Sequence, residues 1–129
     1  MDVQQKVSEF HEAFGAPVGK KPELIPIERA ALRYDLIQEE LSEFADEIAT
    51  GNLVGIADAL GDLAYVVYGA AVEYGIQLDE VIREIHASNM SKLGDDGEPV
   101  YRADGKILKG PGYWAPRLDV VLEAQGWDA

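Results

Sequence analysis

A chain of 129 residues with 11 Lys plus Arg against 24 Asp plus Glu carries a net charge of −13 at pH 7 and has no cysteine. Disulfides, thiolate zinc sites and thiol catalysis are therefore excluded, and the phosphates of a bare nucleic acid would meet a repelling field. Such a chain can still handle phosphates if metal cations stand between the two sets of negative charge.

The length is that of one ordinary domain, and the sequence predicts a single all-α domain, with a bundle over about 2–93 and a C-terminal appendage over about 94–129. MDVQQKVSEF has no charged-then-apolar leader, and no uncharged apolar run is flanked like a membrane span, so a cytoplasmic place is expected. Residues 2–14 read as an amphipathic helix with Val3, Val7, Phe10 and Phe14 on one face, closed by Gly15. After a Gly- and Pro-rich loop, a second helix runs from about Ile27 to Thr50. Its core face is Ile37, Leu41, Phe44 and Ile48, and Gly51 stands at its C-terminus.

Asn52 is placed to cap a third helix, LVGIADALGDLAYVVYGAAVEY, which Gly75 ends. Apolar residues lie all round it, the pattern of a helix buried on every side. A fourth helix, about Leu78 to Met90, has Asp79 and Glu80 in its first turn and Val81, Ile82 and Ile85 as its buried face. Beyond Gly94, two short β-favouring runs flank Asp104-Gly105, a hairpin signal, and APRLDVVLEAQG predicts a last short helix. Gly55, Gly61 and Gly69 leave room for close approach, and the apolar third helix is expected to pair two chains as a homodimer.

The acids carry the chemistry. EELSEFADE, Glu39 to Glu47, puts five acids into nine residues. Glu40, Glu43 and Glu47 border the core face, while Glu39 lies nearly opposite it and about 40° from Glu43. Taken alone, a solvated face accounts for this cluster equally well. The third helix argues otherwise, because Asp58 and Asp62 are its only charges between Asn52 and Glu73 and their i,i+4 spacing stacks them on one face. Two adjacent carboxylates in an apolar helix repel each other and need a positive partner. No Lys or Arg lies in that helix, and Arg29 and Arg33 come before the acidic cluster. A metal ion between the helices is the economical partner, and an all-carboxylate ligand set points to Mg²⁺ or Mn²⁺.

EELSE, followed by DALGDLAYVVYG and then by SNMSK, resembles the signature of the MazG-like all-α nucleoside triphosphate pyrophosphohydrolases, a group that includes phosphoribosyl-ATP pyrophosphatases and dimeric dUTPase-like enzymes. The similarity covers roughly residues 28–95, and KGPGYWAP is similar to a tail in one branch. It implies a four-helix MazG-like bundle that hydrolyses a (deoxy)nucleoside triphosphate, such as dUTP, to the monophosphate and pyrophosphate. Against the family pattern Glu-x-x-Glu then Glu-x-x-Asp, Glu40 and Glu43 match the first pair and Asp62 the last acid. The third acid departs: Ala59 stands in its place and Asp58 is one residue earlier. Glu39 matches an extra Glu that orients or deprotonates the attacking water. Asn89 and Lys92 correspond to sugar- or base-binding and phosphate-binding residues, with Lys106, Lys109 and Tyr113, beside Arg102, as further substrate contacts from the tail.

Phosphoribosyl-ATP hydrolysis by the same chemistry, and a metal-binding bundle without turnover, are the rival readings. GAPVGKK lacks the spacing, the hydroxyl residue and the preceding strand of a phosphate-binding loop, GDDGE lacks the acids of a calcium loop, and His11 and His86 lack the Glu partners of a di-iron bundle. His86 is expected to hydrogen-bond between helices.

Overall fold

The computed structural model describes residues 1–129, in the order α1 (Val3–Phe14), α2 (Ile27–Thr50), α3 (Leu53–Tyr74), α4 (Leu78–Met90), β1 (Val100–Tyr101), β2 (Ile107–Leu108) and α5 (Leu118–Ala124). The chain is mostly helical with one small hairpin, as the sequence implies. Helix ends follow local chemistry. The Asp2 side chain accepts from the Gln5 backbone at 2.8 Å while the Gln5 side chain accepts from the Asp2 backbone at 2.9 Å, a reciprocal cap. Asn52 accepts from Gly55 N–H at 3.2 Å and opens α3 one residue after Gly51, whose φ of 68° ends α2. The turn between the two long helices is therefore as tight as two capping residues allow.

The chain divides into two compact units, Met1–Leu78 with Gln125–Ala129, and Asp79–Ala124. In the first, α3 packs against α2 and α1. A helix with the length and composition of α3 could by those measures cross a membrane, but it carries Asp58, Asp62 and Glu73 and lies against two partner helices. The α2–α3 pairing is antiparallel and in register down its length. Arg29 and Arg33 reach Glu73, the Arg33 guanidinium crosses Gly69, and Glu47 crosses Gly55. A Cβ at Gly69 or Gly55 would collide with those side chains, whereas one at Gly61 would meet open space. Two of the three α3 glycines thus serve contacts inside the chain.

At the open end of this pairing sits a buried ionic cluster. Arg29 holds the Glu73 carboxylate with two hydrogen bonds, Nε to Oε1 at 2.9 Å and Nη2 to Oε2 at 2.8 Å, and Arg33 Nη1 adds a contact at 3.3 Å. The Glu73 side chain is wholly buried. Burial pulls the Arg33 guanidinium below its ordinary pKa against the opposing pull of Glu73, and Arg33 Nη2 donates to the Val66 carbonyl at 2.9 Å.

The buried face of α1 is turned from the expected one. Gln4, Val7 and His11 are buried, while Val3, Phe10 and Phe14 stay exposed. Gln4 is drawn inward because its amide closes the α3–α4 turn, donating to Ile76 O at 2.6 Å and accepting from Leu78 N–H at 2.9 Å. His11 is drawn in because Nδ1 donates to Pro17 O at 2.8 Å, leaving Nε2 facing Gly69. His86 instead lies exposed on α4. On α2, Leu41 and Ile48 of the expected core face are exposed, and on α4 Ile82 and Ile85 are exposed while Ser88 is buried. Only Val7, Ala59, Ala71 and Val72 form a fully buried apolar core, so these helices present much of their apolar surface outward.

In the second unit, Tyr101 pairs with Ile107 and Val100 with Leu108 across the turn at Asp104-Gly105, where Gly105 has φ 89°. Arg102 forks onto Asp104 and stiffens that turn.

Glu73→Ala is expected to lower stability by about 3–5 kcal/mol, since it strands two guanidinium groups rather than merely deleting a contact. Urea unfolding of parent and variant measures it, and a loss below about 1 kcal/mol would rank the cluster with surface ion pairs.

Candidate metal centre

The register fixed by Arg29, Arg33 and Glu73 sets the acids of α2 against those of α3. Glu40, Glu43 and Asp62 converge so that one carboxylate oxygen from each lies within 4.8 Å of the others. No lysine or arginine pairs with any of the three: the guanidiniums of the first unit are held by Glu73 and Lys21 by Asp128. Glu40 is half-buried, and its Oε2 is fully buried with no hydrogen-bond partner. Only one other buried side-chain polar atom, Arg33 Nε, shares that condition.

A stranded carboxylate oxygen costs free energy unless it takes a proton or a cation. Desolvation accordingly raises the Glu40 pKa above the ordinary carboxylate range. The charge of Glu43, a hydrogen bond to Glu43, and the charges of Asp62 and Glu39 push it the same way. The residues fit a hard divalent cation on three counts: an all-oxygen donor set, three oxygens within mutual reach, and one residue of the three, Glu40, with a buried oxygen that has no partner.

Two open depressions flank the group and share Glu43. One, of about 570 Å³, is lined by Asp35, Gln38, Glu39, Ser42 and Glu43. The other, of about 250 Å³, lies between α2 and α3 and is lined by Glu43, Asp46, Glu47, Gly55, Asp58 and Ala59. Asp58 therefore stands in the adjoining cleft, one helical turn nearer the α2–α3 turn than Asp62, and outside the group of three. Ala59, where the family pattern has an acid, is buried beside Glu43. Glu39 lies on the outer groove.

Asn89, Lys92, Lys106, Lys109 and Tyr113 all belong to the second unit. Lys92 is half-buried just past α4, and Lys109 Nζ sits 4.7 Å from the centre of the Tyr113 ring. Lys106 is part of the hairpin turn, its N–H on Asp104 and its carbonyl on Arg102 N–H. Sequence reasoning missed Glu73, His11, Ser88 and Ser91. Glu73 was findable, since an acid in an apolar helix needs a cation and Arg29 and Arg33 are spaced i,i+4 on the preceding helix.

The family described as phosphoribosyl-ATP pyrophosphohydrolase matches residues 7–89. A solved structure from Exiguobacterium sp. 255-15, described as a candidate NTP pyrophosphohydrolase, is 26% identical with a TM-score of 0.50, covering 97% of this chain and 94% of that one. An uncharacterized protein of Acanthamoeba polyphaga mimivirus, L479, is 32% identical over 114 residues, which are 81% of this chain and 41% of that protein. The chain thus spans less than half the length of this viral relative.

Because the fold raises the Glu40 pKa, its carboxylate form penalises the native state, and the penalty grows as pH rises through the folded pKa. In chelator, Glu40→Gln should match the parent at acid pH, where the Glu40 carboxyl is protonated, and exceed it in stability at neutral pH. Denaturant midpoints at the two pH values check this. A variant less stable than the parent at neutral pH contradicts it.

Proposed function

The chain belongs to the phosphoribosyl-ATP pyrophosphohydrolase family, and from that premise we propose that it hydrolyses a (deoxy)nucleoside triphosphate, such as dUTP, to the monophosphate and pyrophosphate with Mg²⁺ or Mn²⁺. The observation that carries this reading is the convergence of Glu40, Glu43 and Asp62, with a buried, unpartnered oxygen on Glu40. A divalent cation bound there would neutralise the charge of a polyphosphate that such an acidic surface otherwise repels.

The chain's own residues do the rest. Glu40, Glu43 and Asp62 hold the cation. Glu39, exposed on the groove that it shares with Glu43, accepts the proton of the water that attacks the α-phosphorus, and pyrophosphate departs on the far side. Lys92 contributes a point charge for phosphate, and Asn89 a donor and an acceptor for sugar or base. Asp58 is placed to hold a water or a further cation in the adjoining cleft. Phosphoribosyl-ATP is the second substrate reading, favoured by the matched family description. A cytoplasmic place suits either nucleotide.

A second copy of the chain is proposed to cover the exposed apolar residues of α3, among them Leu60, Tyr65 and Val67, since four buried apolar side chains make a small core for 129 residues. Sedimentation equilibrium should then return twice the 14.1 kDa chain mass. A single-chain mass at micromolar concentration would dismiss the dimer.

Phosphorus NMR of the first products tests the reaction. Monophosphate and pyrophosphate are expected, and diphosphate with orthophosphate would move the attack to another phosphorus. Asp62→Asn should abolish turnover and also most of the Mn²⁺-induced rise in stability, which for the parent is about 2.7 kcal/mol at a hundredfold excess over Kd. Metal binding without turnover on any nucleotide would leave the non-catalytic reading standing.

A further inference from the structure

We propose that Gln125–Ala129 is a detachable strap over the α3–α4 turn, which closes on a seat built by residues 19–23 and opens without unfolding the helices beneath it. The inference stands apart from the proposed reaction. It concerns the first unit alone, to which strap, turn and seat all belong.

The backbone of the turn is shared between two glutamines. Gln4 takes Ile76 O and Leu78 N–H, on either side of Gln77. Gln77 itself is met by Gln125: its N–H donates to Gln125 Oε1 at 2.8 Å, and its carbonyl accepts from Gln125 Nε2 at 3.1 Å. One side-chain amide thus stands where a strand partner would. The two clamps differ in burial. Gln4 is buried, so its bonds cannot be traded for water without stranding polar groups. The Gln77–Gln125 bonds are exposed, and water replaces either of them at little cost. The Gln4 clamp is therefore permanent and the Gln125 clamp reversible.

The seat is fixed independently of the strap. Gly19 N–H donates to Val72 O at 2.8 Å and Glu23 N–H to Tyr74 O at 3.1 Å, which lays the loop after α1 along the end of α3. The two backbones meet directly. A Cβ at Gly19 would stand 2.6 Å from Glu73 O, and one at Gly75 would collide with Lys21 O, so the approach is open to glycine alone. GAPVGKK, unfit as a phosphate-binding loop, has its use here: Gly19 brings Lys21 to the end of α3. There the Lys21 ammonium meets Asp128 Oδ2 at 2.6 Å, and both side chains of the pair are well exposed, which makes it a weak and salt-sensitive tie. Between the two ties Trp127 is half-buried, beside a depression of about 370 Å³ that it lines with Pro22 and Leu24. Modest, exposed attachments on a seat held by backbone bonds are the pattern of a segment that opens locally. The chain leaves the first unit after Leu78 and re-enters it at Gln125. The strap ties these two points together, so its opening leaves Asp79–Ala124 held at one end instead of two.

Amide hydrogen exchange of the full chain, read residue by residue by NMR, tests the strap. Gln77 N–H should be less protected than the Leu78 N–H that Gln4 holds, and its exchange should depend little on denaturant. Gln125→Ala should lower Gln77 protection about tenfold, the effect of one lost hydrogen-bonded pair, and leave Leu78 within twofold of the parent. Lys21→Glu should lower Gln77 protection severalfold from the other end of the strap, and Lys21→Glu with Asp128→Lys should restore it. Gln77 and Leu78 amides with one protection and one denaturant dependence would mean that the segment opens only with the fold. Gln77 protection indifferent to Lys21→Glu would mean that Gln125 acts alone. Either result overturns the inference, as does Gln77 protection in Gln125→Ala within twofold of the parent.

Discussion

The antiparallel pairing of α2 with α3 depends on a buried carboxylate. Glu73 has no exposed side-chain surface, and only the two guanidiniums of Arg29 and Arg33 make its burial tolerable. Because these groups are spaced i,i+4 on one helix and meet one residue on the other, they admit a single register. Every later pairing follows from it: Arg33 over Gly69, Glu40 and Glu43 beside Asp62, Glu47 over Gly55. A slip of one helical turn would leave Glu73 at most one of the two guanidiniums and take Arg33 off Gly69. The two-residue turn at Gly51 and Asn52 limits the same slip from the other end.

That rigidity has a chemical use. Glu40, Glu43 and Asp62 repel one another, and Glu40 keeps a buried oxygen without a partner. Left to relax, such groups would swing apart into water. The ionic cluster at one end and the tight turn at the other keep the two helix backbones in one register, and a cation, in the proposed function, would take up the repulsion at Glu40. Opposite charges lock the scaffold, and like charges make the site.

In the second unit the same division holds between residue types. Arginines, with planar forks suited to carboxylates, are used up in internal pairs, while lysines are left as free point charges. Ser88, Ser91 and Gly110, none of them charged, fasten residues 110–114 to the end of α4 and the residues after it. The two-stranded hairpin contributes little packing of its own, since both residues of β1 are exposed.

The sequence alone determined the elements and the chemistry class. Helix ends at Gly15, Gly51 and Gly75, the cap at Asn52 and the turn at Asp104-Gly105 are local choices, made by φ and by a side chain's reach over three residues, so they are legible in one dimension. The acids were legible as two groups, Glu39 to Glu47 and Asp58 with Asp62, because spacing on a helix is periodic and two carboxylates in an apolar run demand a partner, while the family resemblance singled out Glu40, Glu43 and Asp62. What the tertiary structure alone decided is which face each helix turns inward and which acids meet. Periodicity put Val3 and Phe10 inside α1, but Gln4 and His11 took those places because backbone groups of the α3–α4 turn and of Pro17 needed them. Asp58 and Asp62 looked equivalent on one face, and only the α2–α3 register separated them, bringing Asp62 to Glu40 and leaving Asp58 in the adjoining cleft. Hydrogen-bond demand from distant backbone and the register of paired helices are long-range quantities. No window of sequence contains them.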